Sequence, residues 1–294
     1  MTGAQTDRRT ESPAEPRTGP PSPAYSSPLE SRRPHLGHAL ASEWTKLVSV
    51  RSTLWTLGSL VVVVVGIGMV FIAQTSSGDY ANIPFTTPAL IGMFVGQLAV
   101  MVLGVLTITS EHGTGLVRTT FTAAPDRHRV LTAKYLIFGL TAFLATAGSV
   151  FVVGTAAAIA HNGPAAGSHT AGEWMGALAG SFYVTLLGML ALAVGALVRH
   201  SAGAIAVMIG VVTLPPVAGA MLSIWEASAP LGRVVLRHNA PVALMQLFGM
   251  PSGTTSPSGS PETMPADLTQ LALMLLVTGA AMAASYVVVG RRDV

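Results

Sequence analysis

Apolar and polar positions alternate along the chain on a coarse scale. From residue 54 to residue 289, long apolar runs are separated by short polar gaps. Six runs stand out, at residues 54–73, 88–108, 135–160, 176–198, 202–225 and 268–289. Crossing a bilayer core of about 30 Å takes ~20 apolar residues in a helix, and each run is long enough. A charge at mid-span costs roughly 2.5–3.5 kcal/mol on insertion scales. None of the 16 Lys and Arg or 13 Asp and Glu lies within these runs. The pattern predicts an all-α membrane protein with six transmembrane helices. The run at 202–225 carries Pro215 and Pro216 in its second half, where adjacent prolines kink or end a helix.

Two segments outside the runs have helical periodicity of their own. Between His35 and Ser52, Leu36, Leu40, Trp44, Leu47 and Val48 recur at helical spacing, with His38, Ser42, Glu43, Lys46 and Ser49 on the other faces. This predicts an amphipathic N-terminal helix just before the first span, with Trp44 suited to the headgroup region. By composition it is a membrane anchor or a helix that meets a partner. Between spans five and six, residues 226–250 are too interrupted to cross a bilayer and too apolar for a free loop. Short interfacial helices fit them, followed by a flexible link over residues 250–266.

Composition changes the picture in three places. Hydrophobic residues make up 50% of the chain and charged residues 10%, too little charge to cover a soluble protein of this size. The chain contains no cysteine, so thiolate nucleophiles, disulfides and Cys-ligated metals are excluded. Residues 1–35, with seven prolines among Ser, Thr, Arg and Glu, read as a disordered tail, and residues 36–294 as the membrane domain. The basic pI follows from membrane-flanking residues rather than from a nucleic-acid partner.

Charge distribution gives an orientation. Of the Lys and Arg residues, only Arg233 and Arg237 fall on one side of the predicted spans. All the others fall on the opposite side, before span one, between spans two and three, after span four, or at the C-terminus. The positive-inside rule then places both termini in the cytoplasm and the short helices between spans five and six outside.

The connection after span two carries the candidate chemistry. Glu111 lies at the exit of an apolar helix, Gly113 and Gly115 allow a bend or close backbone approach, and Arg118 follows. Arg127, Arg129 and Lys134 lead into span three. Composition by itself describes a solvated basic loop. No Gly-Lys-Ser or Gly-Lys-Thr sequence occurs, so there is no P-loop to cradle phosphates. No His-Glu-x-x-His or mid-span carboxylate pair marks an intramembrane enzyme. A secondary transporter is the alternative, but such carriers place ionisable residues at membrane depth. Glycine pairs Gly92/Gly96 and Gly176/Gly180 suit close helix packing.

Four features together resemble the permease subunits of type-2 ATP-binding-cassette (ABC) exporters, especially short actinobacterial ones. Ser42-Glu43-Trp44-Thr45-Lys46-Leu47 followed by Arg51-Ser52-Thr53-Leu54-Trp55 looks like the family's connecting helix and first span. Glu111-x-x-x-Gly115-x-x-Arg118-Thr119 is similar to the pattern of its first intracellular loop. Ala123-Ala124-Pro125-Asp126-Arg127 matches its Pro-centred turn, and the apolar, Pro-containing stretch between spans five and six completes the likeness. The resemblance implies a pair of permeases, identical or paralogous, around one export pathway in a bacterial cell membrane. It implies that Glu111, Gly115 and Arg118 belong to a coupling helix, and Glu43, Trp44 and Lys46 to the connecting helix. It also implies that ATP is hydrolysed by a separate ATPase subunit, leaving this chain without catalytic residues, cofactor or metal. A pathway lined by apolar and small polar groups suits a hydrophobic or amphipathic cargo such as a drug, lipid or peptide.

The orientation is checked with single cysteines. Cysteine replacing Ser77, Ser168 or Ser256 reacts with an impermeant maleimide in sealed cells, and cysteine replacing Ser31 does not. Labelling at Ser31 reverses the topology.

Overall fold

The structure, a computed structural model, describes residues 35–76, 83–114, 127–162, 170–255, 261–263 and 268–291. The expected N-terminal tail, Gly115 and Arg118 lie outside the described residues. Nine helices run through the described chain: α1 (Leu36–Ser49), α2 (Arg51–Gln74), α3 (Thr87–Thr114), α4 (Arg127–Ala160), α5 (Ala171–Val198), α6 (Ser201–Leu222), α7 (Ala229–Arg237), α8 (Ala240–Leu247) and α9 (Leu268–Arg291). Six of them, α2 to α6 and α9, are long and apolar enough to cross a membrane. The chain is an all-α, multi-pass membrane protein. A short antiparallel ribbon, Pro251–Thr255 paired with Pro261–Thr263, occupies the segment expected to be a flexible link.

The helix limits differ from the apolar runs in an informative way. Helix α4 begins at Arg127, so Arg127, Arg129 and Lys134 belong to its first turns rather than to a loop. Helix α5 begins at Ala171 and takes Glu173 into its first turn, where a carboxylate complements the helix dipole. Helix α6 runs unbroken through Pro215 and Pro216. The missing proline N–H groups cost it two internal hydrogen bonds, to the carbonyls of Val211 and Val212, without ending it.

Helices α3 and α5 form the centre of the bundle, and glycine sets their spacing. A Cβ on Gly104 would collide with the Gly188 carbonyl oxygen, and one on Gly188 would meet Val100 and Phe138. Such contacts bring helix backbones close and gain dispersion energy where lipid offers no hydrophobic drive. Gly92 and Gly96 face Val64 of α2 in the same way. Gly176 and Gly180 receive Leu247 and Phe248 at the end of α8, so α8 packs closely on α5 and is largely buried. Helix α7 keeps the interfacial character expected of it, with Leu231 and Val234 exposed beside Arg233 and Arg237.

Bulk introduced at these contacts is costly. Gly104→Ala lowers stability by about 1–3 kcal/mol through overpacking. Gly148→Ala, at a position with nothing within 4 Å, is neutral or gains up to about 1 kcal/mol of helix propensity. Thermal unfolding of the detergent-solubilised protein distinguishes the two.

Candidate functional site

The face of the bundle that carries α1 and the start of the α3–α4 connection holds a closed ring of four charges. Lys46 Nζ donates to Glu43 Oε1 at 2.7 Å and to Glu111 Oε1 at 3.2 Å. Lys134 Nζ donates to Glu43 Oε2 at 2.6 Å and to Glu111 Oε1 at 2.7 Å. Each ammonium therefore bridges both carboxylates, and the charges alternate around the ring. Glu43 and Lys134 are each 4% exposed, Glu111 12% and Lys46 33%. The ring is neutral and, at Glu43 and Lys134, almost dry.

Local structure explains how four residues far apart in sequence meet. Glu43 and Lys46 are three apart on α1, so one helix face presents both. Helix α1 lies against α4 and ends at Val50, whose extended backbone turns the chain directly into α2. Glu111 stands in the last turn of α3, where the negative end of the helix dipole disfavours a lone carboxylate. The two lysines offset both the dipole and the charge. Lys134 is on the inner side of α4, next to Tyr135, which is also buried. Burial alone pulls the Lys46 ammonium down, but the hydrogen bond to Glu43 and the charges of Glu111 and Glu43 outweigh it and hold its pKa above the ordinary 10.5.

The predicted site residues divide accordingly. The structure brings together Glu43, Lys46 and Glu111, with Glu111 reaching across to α1. Trp44 is outside the ring, 51% exposed on another side of α1. Sequence reasoning missed Lys134, because an ammonium at the edge of an apolar run reads as a flanking charge. The available signal was its placement immediately before the apolar run at residue 135. Arg127 is also not on a solvated turn: its guanidinium donates to the Val289 carbonyl at 3.5 Å, near the C-terminal end of α9. Nearby, Thr132 pairs with Tyr286 at 2.8 Å and Tyr135 with Ser285 at 2.9 Å, so α4 is tied to α9 as well as to α1.

The opposite face carries a different kind of joint. The Glu173 carboxylate accepts from the Phe85 backbone N–H at 3.0 Å while completing a capping box with Thr170. Trp174 packs edge-on against Phe85 at 5.1 Å and beside Phe151 at 5.5 Å. Among the described residues no group of three or more His, Cys, Asp or Glu side chains could hold a metal ion. No protein-family model and no curated protein matches the chain.

Two measurements check the ring. Lys134→Met leaves Glu43 and Glu111 sharing Lys46 alone, an uncompensated negative charge in a nearly dry site, and costs about 3–5 kcal/mol, whereas Lys46→Met, at a part-exposed position, costs about 1 kcal/mol or less. The double variant Glu43→Met/Lys134→Met is more stable than Lys134→Met alone, because it leaves Lys46 and Glu111 as a neutral pair. In a pH titration, the stability that Lys46 contributes is fully present below 10.5 and is lost as pH rises through its elevated folded value. Lys46→Arg moves that loss to higher pH, since arginine keeps its proton.

Proposed function

We propose that this chain is the membrane subunit of an ABC exporter, forming a transport pathway with a second permease and taking energy from a separate ATPase. The observation that carries this reading is the ring of Glu43, Lys46, Glu111 and Lys134. It ties an amphipathic helix to the two spans that flank the α3–α4 connection. A subunit driven by a partner at that connection needs such a tie, because a push on a loose loop would not move the spans. In this reading the connection, with Gly115 and Arg118, meets the ATPase. Glu111 and Lys134 pass the displacement to α3 and α4, and Glu43 and Lys46 pass it to α1.

Two further features fit. The Lys, Glu and Arg residues in the described membrane helices, Arg51, Glu111, Arg127, Arg129, Lys134, Glu173 and Arg291, lie towards helix ends, so no mid-span charge suggests an ion-coupled carrier. A small apolar cavity between α3 and α6, lined by Leu98, Met101, Val102, Ile205, Met208 and Thr213, suits a hydrophobic cargo better than a charged one. The positive-inside distribution supports cytoplasmic termini, and the resemblance to actinobacterial permeases supports a bacterial plasma membrane.

The test is co-expression with a P-loop ATPase subunit sought among the reading frames that neighbour this one. The two co-purify, and the purified single chain hydrolyses no ATP. Arg118→Ala weakens the complex roughly tenfold or more, equivalent to about 1.4 kcal/mol. Arg233→Ala, exposed between spans five and six, leaves it unchanged. Metal-dependent ATP hydrolysis by the single chain, or an Arg118→Ala complex equal to wild type, rejects the proposal.

A further inference from the structure

Helix α6 is held differently along its length. From Ser201 to Leu214 its buried side chains are Ala204, Met208 and Val212, one per turn, so a single narrow seam joins this part to the bundle. Beyond Pro216 the contact is close. A Cβ on Gly219 would run into Leu236 of α7, and one on Gly232 of α7 would meet Ser223 and the Gly219 carbonyl. The Ser228 hydroxyl, just before α7, donates to the Leu222 carbonyl at 2.7 Å. The end of α6 and α7 thus form one clamped hairpin. Gln270 of α9 secures it, donating to the Arg237 carbonyl at 2.9 Å.

The two parts of α6 meet where the helix has fewest internal bonds. Pro215 and Pro216 supply no N–H to the Val211 and Val212 carbonyls, so a bend there has two fewer hydrogen bonds to break. The Thr213 hydroxyl donates back to the Ile209 carbonyl at 2.8 Å, a bond that favours bending of the same turn. At its other end the segment is linked to α5 through Arg199 and His200, both exposed. Arg199 is a non-glycine residue at φ 57°, so a rotation there leaves a strained region and disturbs no buried side chain.

The apolar cavity lies between this segment and α3, with Met101 and Val102 facing Ile205, Met208 and Ile209. Its volume is about 120 Å³. An apolar cavity of about 150 Å³ holds benzene, whereas drug-sized ligands occupy ~300–1,000 Å³. The cavity therefore has the chemistry of a site for apolar molecules and is too small for one of that size. Parting the segment from α3 exchanges side-chain contacts for lipid contacts, and lipid tails are as apolar as the side chains. The narrow seam is what opposes it.

We propose that Ser201–Leu214 is a gate hinged at Pro215–Pro216. It swings away from α3, enlarges the cavity and admits an uncharged apolar molecule larger than benzene. That this molecule is cargo rests on the transport reading above, whereas the hinge belongs to the chain alone.

The chain has no cysteine, so nitroxide labels are placed in pairs on the full chain, in phosphatidylcholine nanodiscs without an ATPase. Leu106→Cys with Ala206→Cys spans the gate, and Met221→Cys with Leu231→Cys spans the clamp. Pulsed electron paramagnetic resonance gives the gate pair a distance distribution at least about twice as wide as that of the clamp pair. Equal widths overturn the gate, whatever the variants do. Pro215→Ala/Pro216→Ala narrows the gate pair to the width of the clamp pair, and an unchanged width overturns the hinge. Pyrene lengthens the gate distance and leaves the clamp distance unchanged, while pyrenesulfonate changes neither. No response to pyrene, or an equal response to both compounds, overturns the ligand class. With no ATPase present, failure of the hinge leaves the transport reading standing, and failure of co-purification leaves the hinge standing.

Discussion

The α1 face depends on the cost of leaving a charge dry. A carboxylate as buried as Glu43 would favour staying in water by several kcal/mol unless paired. One lysine would neutralise it but would need its own second acceptor, because an ammonium has three donors and no acceptor. The closed ring meets both demands. Each lysine spends two donors on two carboxylates, and the net charge is zero. A buried pair of this kind is weak evidence of added stability, since well-packed apolar residues often do as well. Its value lies in specificity: α1, the end of α3 and the start of α4 fit together in only one way that leaves no charge unpaired.

The rest of the bundle is held by contacts of another sort. In the middle, Gly104 and Gly188 let α3 and α5 approach until backbone meets backbone, and Gly92 and Gly96 do the same for α2. At the far face, Glu173 joins the start of α5 to the start of α3 through a backbone N–H, with Trp174 filling the space beside Phe85. Close-packed glycine contacts are short-ranged and do not tolerate sliding. An ion-pair ring tolerates small rotations, because flexible lysine stems can follow their acceptors. The glycine-packed centre and the α1 face are therefore unequal in stiffness, and the more adjustable of the two carries α1.

Much of this was legible in the sequence. Six uncharged apolar runs gave the six spans, and helical spacing of Leu36, Leu40, Trp44 and Leu47 gave α1. Helix ends were not legible, for a physical reason. Basic residues at the start of α4 and an acidic one at the start of α5 lower local hydropathy as much in a helix as in a loop. Lys134 was consequently assigned to the polar flank of its span, though it is one of the most buried charges among the described residues. Its partners are on α1 and α3, and no local pattern encodes that distance. Pro215 and Pro216 misled in the opposite sense, because α6 absorbs the loss of two hydrogen bonds and continues. The burial of α8 was hidden too: its receptor is the Gly176/Gly180 surface, whose role as a groove shows only in three dimensions.

The ring also sets which motions cost least. Moving α1 alone breaks the Glu43–Lys134 and Lys46–Glu111 contacts and leaves each buried charge with one partner where it had two. Moving α3 alone opposes the same contacts and also breaks the glycine packing on α5. Moving α1 with the ends of α3 and α4 as one body keeps every ion pair and works against the packing of Val105 and Ile108 on Gly195 of α5 and against hydroxyl contacts of α4 with α9 such as Tyr135–Ser285. Hydroxyls can exchange partners at about 0.5–1.5 kcal/mol each, whereas breaking a buried ion pair costs about 3–5 kcal/mol. The hydroxyl contacts of the α4–α9 seam are therefore weaker links than the ion pairs of the ring.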